Sequence, residues 1–201
     1  MLLSRTTAQK ELKSVVKATE AEYHQGQSMP PHFGITGSTF RAYRNCEESP
    51  SKIYRQWVTT KGFEIVSSHR VTTRQEFASL HKLLVASFER QWGRSGCRPL
   101  SLAEKHKVVD LFTKAIAFSS NHPCEDHRVG LYNFANVPLD KFSLAAIGKL
   151  FYGIVVSDNP SMGNIRDLDT YDFLQSQIFH LTSDSGLPNL VFDYYAWNMT
   201  H

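Results

Sequence analysis

Apolar residues recur every three or four positions along most of this chain, a period that marks helices rather than strands. It is clearest over residues 73–92, where Phe77, Leu80, Leu84 and Phe88 fall on one face and Gly93 follows as a C-cap. A second run opens at Ser101, with Glu104 three residues on to complete a capping box, and its expected buried face is Val108, Phe112, Ala115 and Ile116. Residues 6–24 carry a thinner stripe of Leu12, Val15 and Val16, continued by Thr19. Short helices are expected over residues 38–47 and 50–58. Residues 63–71 fit either a strand or the edge of a further helix. Pro138 suits the first turn of a helix that reaches about Val156 and buries Phe142, Ala145, Ala146 and Leu150. Two last helices are expected over residues 168–181 and 188–199. Residues 25–38, with Pro30, Pro31, Gly34 and Gly37, and the polar residues 119–130 read as loops. The pattern predicts an all-α protein, a single compact helical domain over residues 1–201 with room for two lobes flanking a cleft.

Composition adds little until charge is divided along the chain. At 201 residues, 41% hydrophobic and 20% charged, the sequence is neither disordered nor fibrous. The net charge of +3 hides an asymmetry: residues 1–114 hold 18 Lys and Arg against 10 Asp and Glu, and residues 115–201 hold 4 against 9. A basic half can lie along phosphates and steer a polyanion into a groove. The start lacks an apolar stretch of signal-peptide length, and the longest apolar run, residues 145–156, contains Lys149 and is too short for a bilayer. Three cysteines (Cys46, Cys97, Cys124) leave one unpaired in any disulfide scheme, which fits a reducing compartment. The expected protein is cytoplasmic, monomeric, and without a membrane partner.

The chemistry concentrates in two segments. In KVVDLFTK, residues 107–114, Lys107, Asp110 and Lys114 are spaced to share a polar helix face. In VPLDKFSL, residues 137–144, Asp140 sits in the expected first helical turn, where free N–H groups and the helix dipole favour a carboxylate. A fixed anion beside a lysine is what cleavage of an N-glycosidic bond requires, since the departing base leaves an oxocarbenium-like sugar. The lysine can attack C1′ when its pKa is lowered. The ordinary alternatives are a salt-bridged solvent face and a capping aspartate. No Walker-type or dinucleotide glycine loop, GxSxG elbow or zinc-deaminase signature occurs, and HPCEDH, residues 122–127, lacks metal-ligand spacing. No metal or other cofactor is expected.

Together the two segments, KHKVVDLFTKAIAF and VPLDKFSLAAIGKL, resemble the core of helix–hairpin–helix DNA glycosylases, most of all the archaeal 8-oxoguanine branch. Lys107 and Lys114 match that branch's lysine, six mostly apolar residues, lysine helix, and Pro138, Leu139 and Asp140 match its Pro-x-Asp motif. The resemblance covers residues 73–200 at most, with residues 1–72 as an N-terminal helical extension or lobe. It implies duplex DNA with a modified base as partner, Asp140 as catalytic carboxylate and Lys107 as counterpart of the nucleophilic lysine. The superfamily's phosphate-binding Gly-x-Gly hairpin is absent; Ser95, Gly96 and Cys97 stand there, flanked by Arg94, Arg98 and Lys105, so Lys107 can equally be a phosphate contact. Four cluster-binding cysteines, found in some relatives, are not available among three. DNA contacts are therefore expected at Arg94, Arg98, Lys105 and Lys114. A base extruded from the stack needs a pocket and a plug. Gln175, Trp197 and Phe118 are candidates for the pocket, and Trp92 or Phe118 for the wedge. The implied substrate is an oxidised purine, or a hypermodified phage cytosine if the role is antiviral rather than repair. The rival readings are a non-catalytic helical DNA-binding protein and a helical protein-interaction module.

Overall fold

Two capping boxes set the start of the central helices. A computed structural model describes residues 5–37, 39–43, 46–151, 153–154 and 156–200. In it the Thr73 hydroxyl accepts from the Glu76 N–H and the Glu76 carboxylate accepts from the Thr73 N–H at 3.0 Å, opening α4 (Arg74–Gly93). Ser101 and Glu104 do the same for α5 (Leu102–Phe118). Phe77, Leu80, Leu84 and Phe88 of α4 are fully buried, as are Val108, Phe112 and Ile116 of α5, whereas Ala115 is half-exposed.

Around this pair the chain is helical almost throughout, as the periodicity predicts. The other helices are α1 (Arg5–Gln25), α2 (Pro50–Trp57), α3 (Phe63–Ser67), α6 (Arg128–Phe134), α7 (Lys141–Leu150), α8 (Leu168–Asp184) and α9 (Val191–Thr200). The β-structure among the described residues is one short parallel pairing, Gln27 with Ser119 and Ser28 with Ser120. Residues 63–71 resolve as helix followed by extended chain: α2 runs through a wide turn, Val58–Gly62, directly into α3. A side chain at Gly62 would press on Phe112, 3.0 Å away, and that contact lets Phe112 reach Trp57 with ring centroids 5.1 Å apart. Residues 38, 44 and 45 of the expected 38–47 helix lie outside the described set; Thr39–Ala42 form a 3₁₀ turn.

Three expectations are corrected. Residues 119–130 are not all loop, because α6 begins at Arg128, and its Gly130 packs against the Val71 carbonyl. The helix expected from Pro138 starts instead at Lys141, with Asp140 as its N-cap, and ends at Leu150 rather than near Val156. Its buried face is Ser143, Leu144, Ala146, Ile147 and Leu150, while Phe142 and Ala145 are half-exposed.

Buried hydrophobic residues from Ala8 to Ala196 form one cluster, so α1 shares a core with the helices after residue 72. Tyr195 of α9 donates to Glu11 of α1 at 2.7 Å, and Tyr194 donates to Glu22. Cys46 and Cys97 are paired, tying the segment before α2 to the α4–α5 connection, and Cys124 is buried and unpaired. That pairing withdraws the cysteine count as an argument for a reducing compartment. No helix among the described residues is long and apolar enough to cross a membrane.

A methyl group at Gly130 would stand 2.0 Å from the Val71 carbonyl oxygen. Gly130→Ala is expected to destabilise the fold by about 1–3 kcal/mol through overpacking, read as a lower urea midpoint with an unchanged slope.

Candidate active site

Asp140 is delivered by a buried stretch of non-helical chain. Residues 135–139 run between α6 and α7 and are all buried, although they lack the internal hydrogen bonds of a helix. Buried backbone polar groups must find partners, and here side chains from α4, α7, α8 and the chain just before α9 supply them in and beside the stretch. Arg74 donates to the Phe134 carbonyl at 2.5 Å, and the Asn189 amide donates to the Ala135 carbonyl at 2.7 Å. Gln175 reads both sides of Val137, accepting from its N–H at 3.1 Å and donating to its carbonyl at 2.8 Å. Ser143 donates back to the Pro138 carbonyl at 3.2 Å.

At the end of this segment Asp140 closes a capping box with Ser143. One carboxylate oxygen, Oδ1, accepts from the Phe142 N–H at 2.8 Å and the Ser143 N–H at 3.1 Å, and the Ser143 hydroxyl accepts from the Asp140 N–H at 2.7 Å. Among the described residues no bond to Oδ2 accompanies them. The carboxylate is thus anchored through one oxygen and unspent at the other, and Asp140 is half-exposed on a cleft.

That cleft, about 350 Å³, is lined by Lys107, Leu111, Lys114, Asp140, Asp193, Tyr194 and Trp197, among others. An adjoining cavity of about 580 Å³ shares Lys107, Asp140 and Phe142 and adds Tyr43, Lys141 and Met162. Both volumes fall in the range of small-ligand sites. The two lysines differ. Lys114 is ion-paired with Asp193 and lies over the Tyr194 ring. Burial alone would lower its ammonium pKa, but Asp193, then Glu22 and Asp140, hold it above the ordinary value. It stays charged and is no nucleophile. Lys107, half-exposed, makes no ion pair or hydrogen bond among the described residues, and so is the cleft cation still available to a ligand. Trp197, 53% exposed, stands edge-on to Phe142 with centroids 4.9 Å apart. Its exposed indole borders the cleft.

Of the residues expected from sequence to form a site, Lys107, Lys114, Asp140 and Trp197 come together here. The others do not. Gln175 is 1% exposed and its amide is spent on Val137, so it supports the Asp140 segment rather than reading a base. Phe118 is buried among Tyr23, Tyr132 and Tyr194, and Trp92 is buried with its indole N–H donating to the Arg98 carbonyl at 2.8 Å; neither can act as a wedge. Arg98 is ion-paired with Glu104, and Lys105 with Glu89 at 3.0 Å. Lys105 also borders a separate cavity. Arg94 is exposed, away from the cleft lining. Asp110 does not share the lysines' face: it is fully buried, accepting from Tyr171 at 2.8 Å and bonded to His81 Nε2 at 2.9 Å. Burial raises its carboxyl pKa despite those contacts. No group of three His, Cys, Asp or Glu side chains among the described residues is arranged to hold a metal.

Sequence reasoning missed Lys141 and Asp193. Lys141 directly follows Asp140, so its place beside the cleft was readable; the pairing of Asp193 with Lys114 was not, since 79 residues separate them. No protein-family model, curated protein or solved structure matches this chain.

Next to the Asp110 pair lies His106, whose buried Nδ1 has no hydrogen-bond partner among the described residues. Burial, then His81 and Lys105, push its pKa from 6.5 down to about 3. The unfolded chain therefore takes up a proton as pH falls through about 6.5, and the folded chain resists until about 3. Folding stability is expected to drop across that window, more steeply in the wild type than in His106→Phe, when unfolding free energies are compared pH by pH.

Proposed function

We propose that the protein is a DNA N-glycosylase, which holds an extruded base in the Asp140 cleft and breaks its bond to deoxyribose. The observation that carries this reading is the meeting of Asp140, Lys107 and Trp197 on one cleft, with Asp140 anchored through Oδ1 and no bond to Oδ2 among the described residues. A carboxylate whose position is fixed before the reaction stabilises positive charge developing at C1′ without having to reorganise. Bond cleavage sends the electron pair of the C1′–N bond to the departing base. The sugar then takes either water or the Lys107 amine at C1′; the amine loses a proton as the new C–N bond forms, and the C1′–O4′ bond then opens, O4′ taking up a proton, to leave the iminium that borohydride reduces. Trp197 offers its face to the base, and Lys107 and the exposed Lys141 supply positive charge for the flanking phosphates. Because Arg98, Lys105 and Lys114 are engaged in internal pairs, the phosphate footprint is smaller than the sequence suggests.

A second reading, a helical DNA-binding protein without catalysis, is favoured by one observation: the bonds Asp140 makes to Phe142 and Ser143 are those of an ordinary N-cap. Asparagine caps a helix about as well as aspartate but carries no charge. Asp140→Asn should therefore keep folding stability within about 0.5 kcal/mol while cutting base release by about 100-fold or more. The assay is chromatography of free base from duplexes bearing oxidised, alkylated or hypermodified pyrimidine and purine bases. Salt-dependent binding with no base released from any duplex would leave the second reading standing.

Borohydride should trap a protein–DNA adduct that Lys107→Ala no longer forms. An adduct that persists in Lys107→Ala, or base release with no adduct, would assign Lys107 to phosphate binding alone.

A further inference from the structure

Behind the cleft, a cavity of about 480 Å³ opens between α4, α5 and α8 and shares no lining residue with the two cavities at Asp140. Its polar wall is Arg74, His81, Lys82, His106, Asn136 and Asp172, with the ion-paired Lys105 and Glu89 at one side. Three features of this wall ask for the same kind of ligand.

Arg74 is a half-buried guanidinium that no carboxylate among the described residues pairs with. Its bonds go to the Phe134 carbonyl and to Asn136 Oδ1, each at 2.5 Å, and it lies over Phe77 and Phe179 at 5.5 and 5.3 Å. Those two contacts use part of its five-donor fork. Lys82, further along α4, is exposed and makes no ion pair or hydrogen bond among the described residues. His106, 7% exposed, lines the cavity with Nδ1 buried and unpartnered. A neutral imidazole has one donor nitrogen and one acceptor nitrogen, and a buried N–H left unmet is rarer than an unmet acceptor. The proton therefore belongs on Nε2, and the ring presents an N–H donor. Asp172, an acid on the wall with no ion pair among the described residues, is exposed and offsets one of the two cations, Arg74 and Lys82. Asp110 and Tyr171 fix the wall from behind: Asp110 holds His81, and Tyr171 packs on His106 with ring centroids 4.3 Å apart.

We propose that this cavity is a second ligand site, for a small organic anion whose carboxylate or phosphate is received by Arg74, Lys82 and the His106 N–H. The site stands apart from the base-excision reading and does not rest on it. Charge-assisted bonds to a carboxylate or phosphate are the strong kind, and Arg presents the planar fork that matches either group. Apolar Ala78, Val85, Leu102 and Leu168 around the rest of the cavity would cover the ligand's carbon skeleton.

The experiment is a titration of the full chain at constant ionic strength, with inorganic phosphate in one arm, acetate in another and chloride as control, following the ring resonances of His81 and His106 by NMR. Expected are saturable shifts of His106 with Kd below about 10 mM for at least one of the two oxyanions. Phosphate alone would identify a phosphate ester, and acetate alone a carboxylate. Lys82→Glu, at an exposed unpaired position, should weaken that Kd about 10-fold, and Ala78→Trp, which fills the cavity from an exposed helix position, should abolish the shift. The proposal is overturned if neither oxyanion gives a saturable shift, if chloride reproduces it, or if both variants bind as the wild type does.

Discussion

A buried stretch of chain that is not helical has to borrow its hydrogen bonds, and the rest of this structure is arranged around that debt. Residues 135–139 pass through the core without regular secondary structure. An unmet backbone group there would cost about 1–3 kcal/mol. Gln175 from the middle of α8 and Asn189 ahead of α9 each reach in to satisfy one or two of them, and Arg74 from the start of α4 meets the Phe134 carbonyl just before them. Those partners come from positions 38 to 60 residues away, so the segment can take its path only when the tertiary fold is complete. What emerges at its end is Asp140, set by the whole domain rather than by its own helix.

Asp140 serves the fold and is open to chemistry through different atoms. Oδ1 completes the N-terminus of α7 and Oδ2 is left over. Many helix caps are aspartates, so a cap by itself says nothing about function. The surroundings separate this one from the rest: a cleft wall carrying an unpaired lysine, a lysine held charged by its own aspartate, and an exposed indole. The pairing of Lys114 with Asp193 also divides labour between two residues that look alike in sequence. One is committed to structure and the other is available.

The fold class and most helices were legible because their signals are local. Thr73 with Glu76 and Ser101 with Glu104 write the starts of α4 and α5 within four residues, and their apolar faces follow. Apart from the start of α7, which Asp140 and Ser143 set locally, the misread side chains depend on distant partners. Asp110 looked like a surface acid between two lysines, but His81 and Tyr171 arrive there from α4 and α8 and bury it. Gln175 carried the chemistry of a base reader, and nothing local revealed that Val137 would consume it. The segment 119–130 is polar and glycine-terminated, so α6 is short and hidden by composition; packing of Gly130 on Val71 sustains it instead. Within the candidate site, Lys107, Lys114, Asp140 and Trp197 were readable as residue types and spacings, whereas their common cleft was not.

The bond between Cys46 and Cys97 joins positions 51 apart, on a segment next to Tyr43, which lines the wider cavity and donates to the Glu104 carbonyl at 2.9 Å. Such a tie works on the denatured chain, denying it the loop conformations that an open polymer would explore, an entropic effect of about 4 kcal/mol for a ring of that size. Part of what keeps this wall in place is thus invisible in the native contacts. It lies in the freedom withheld from the molecule when it comes apart, and substitution of neighbouring side chains cannot remove it.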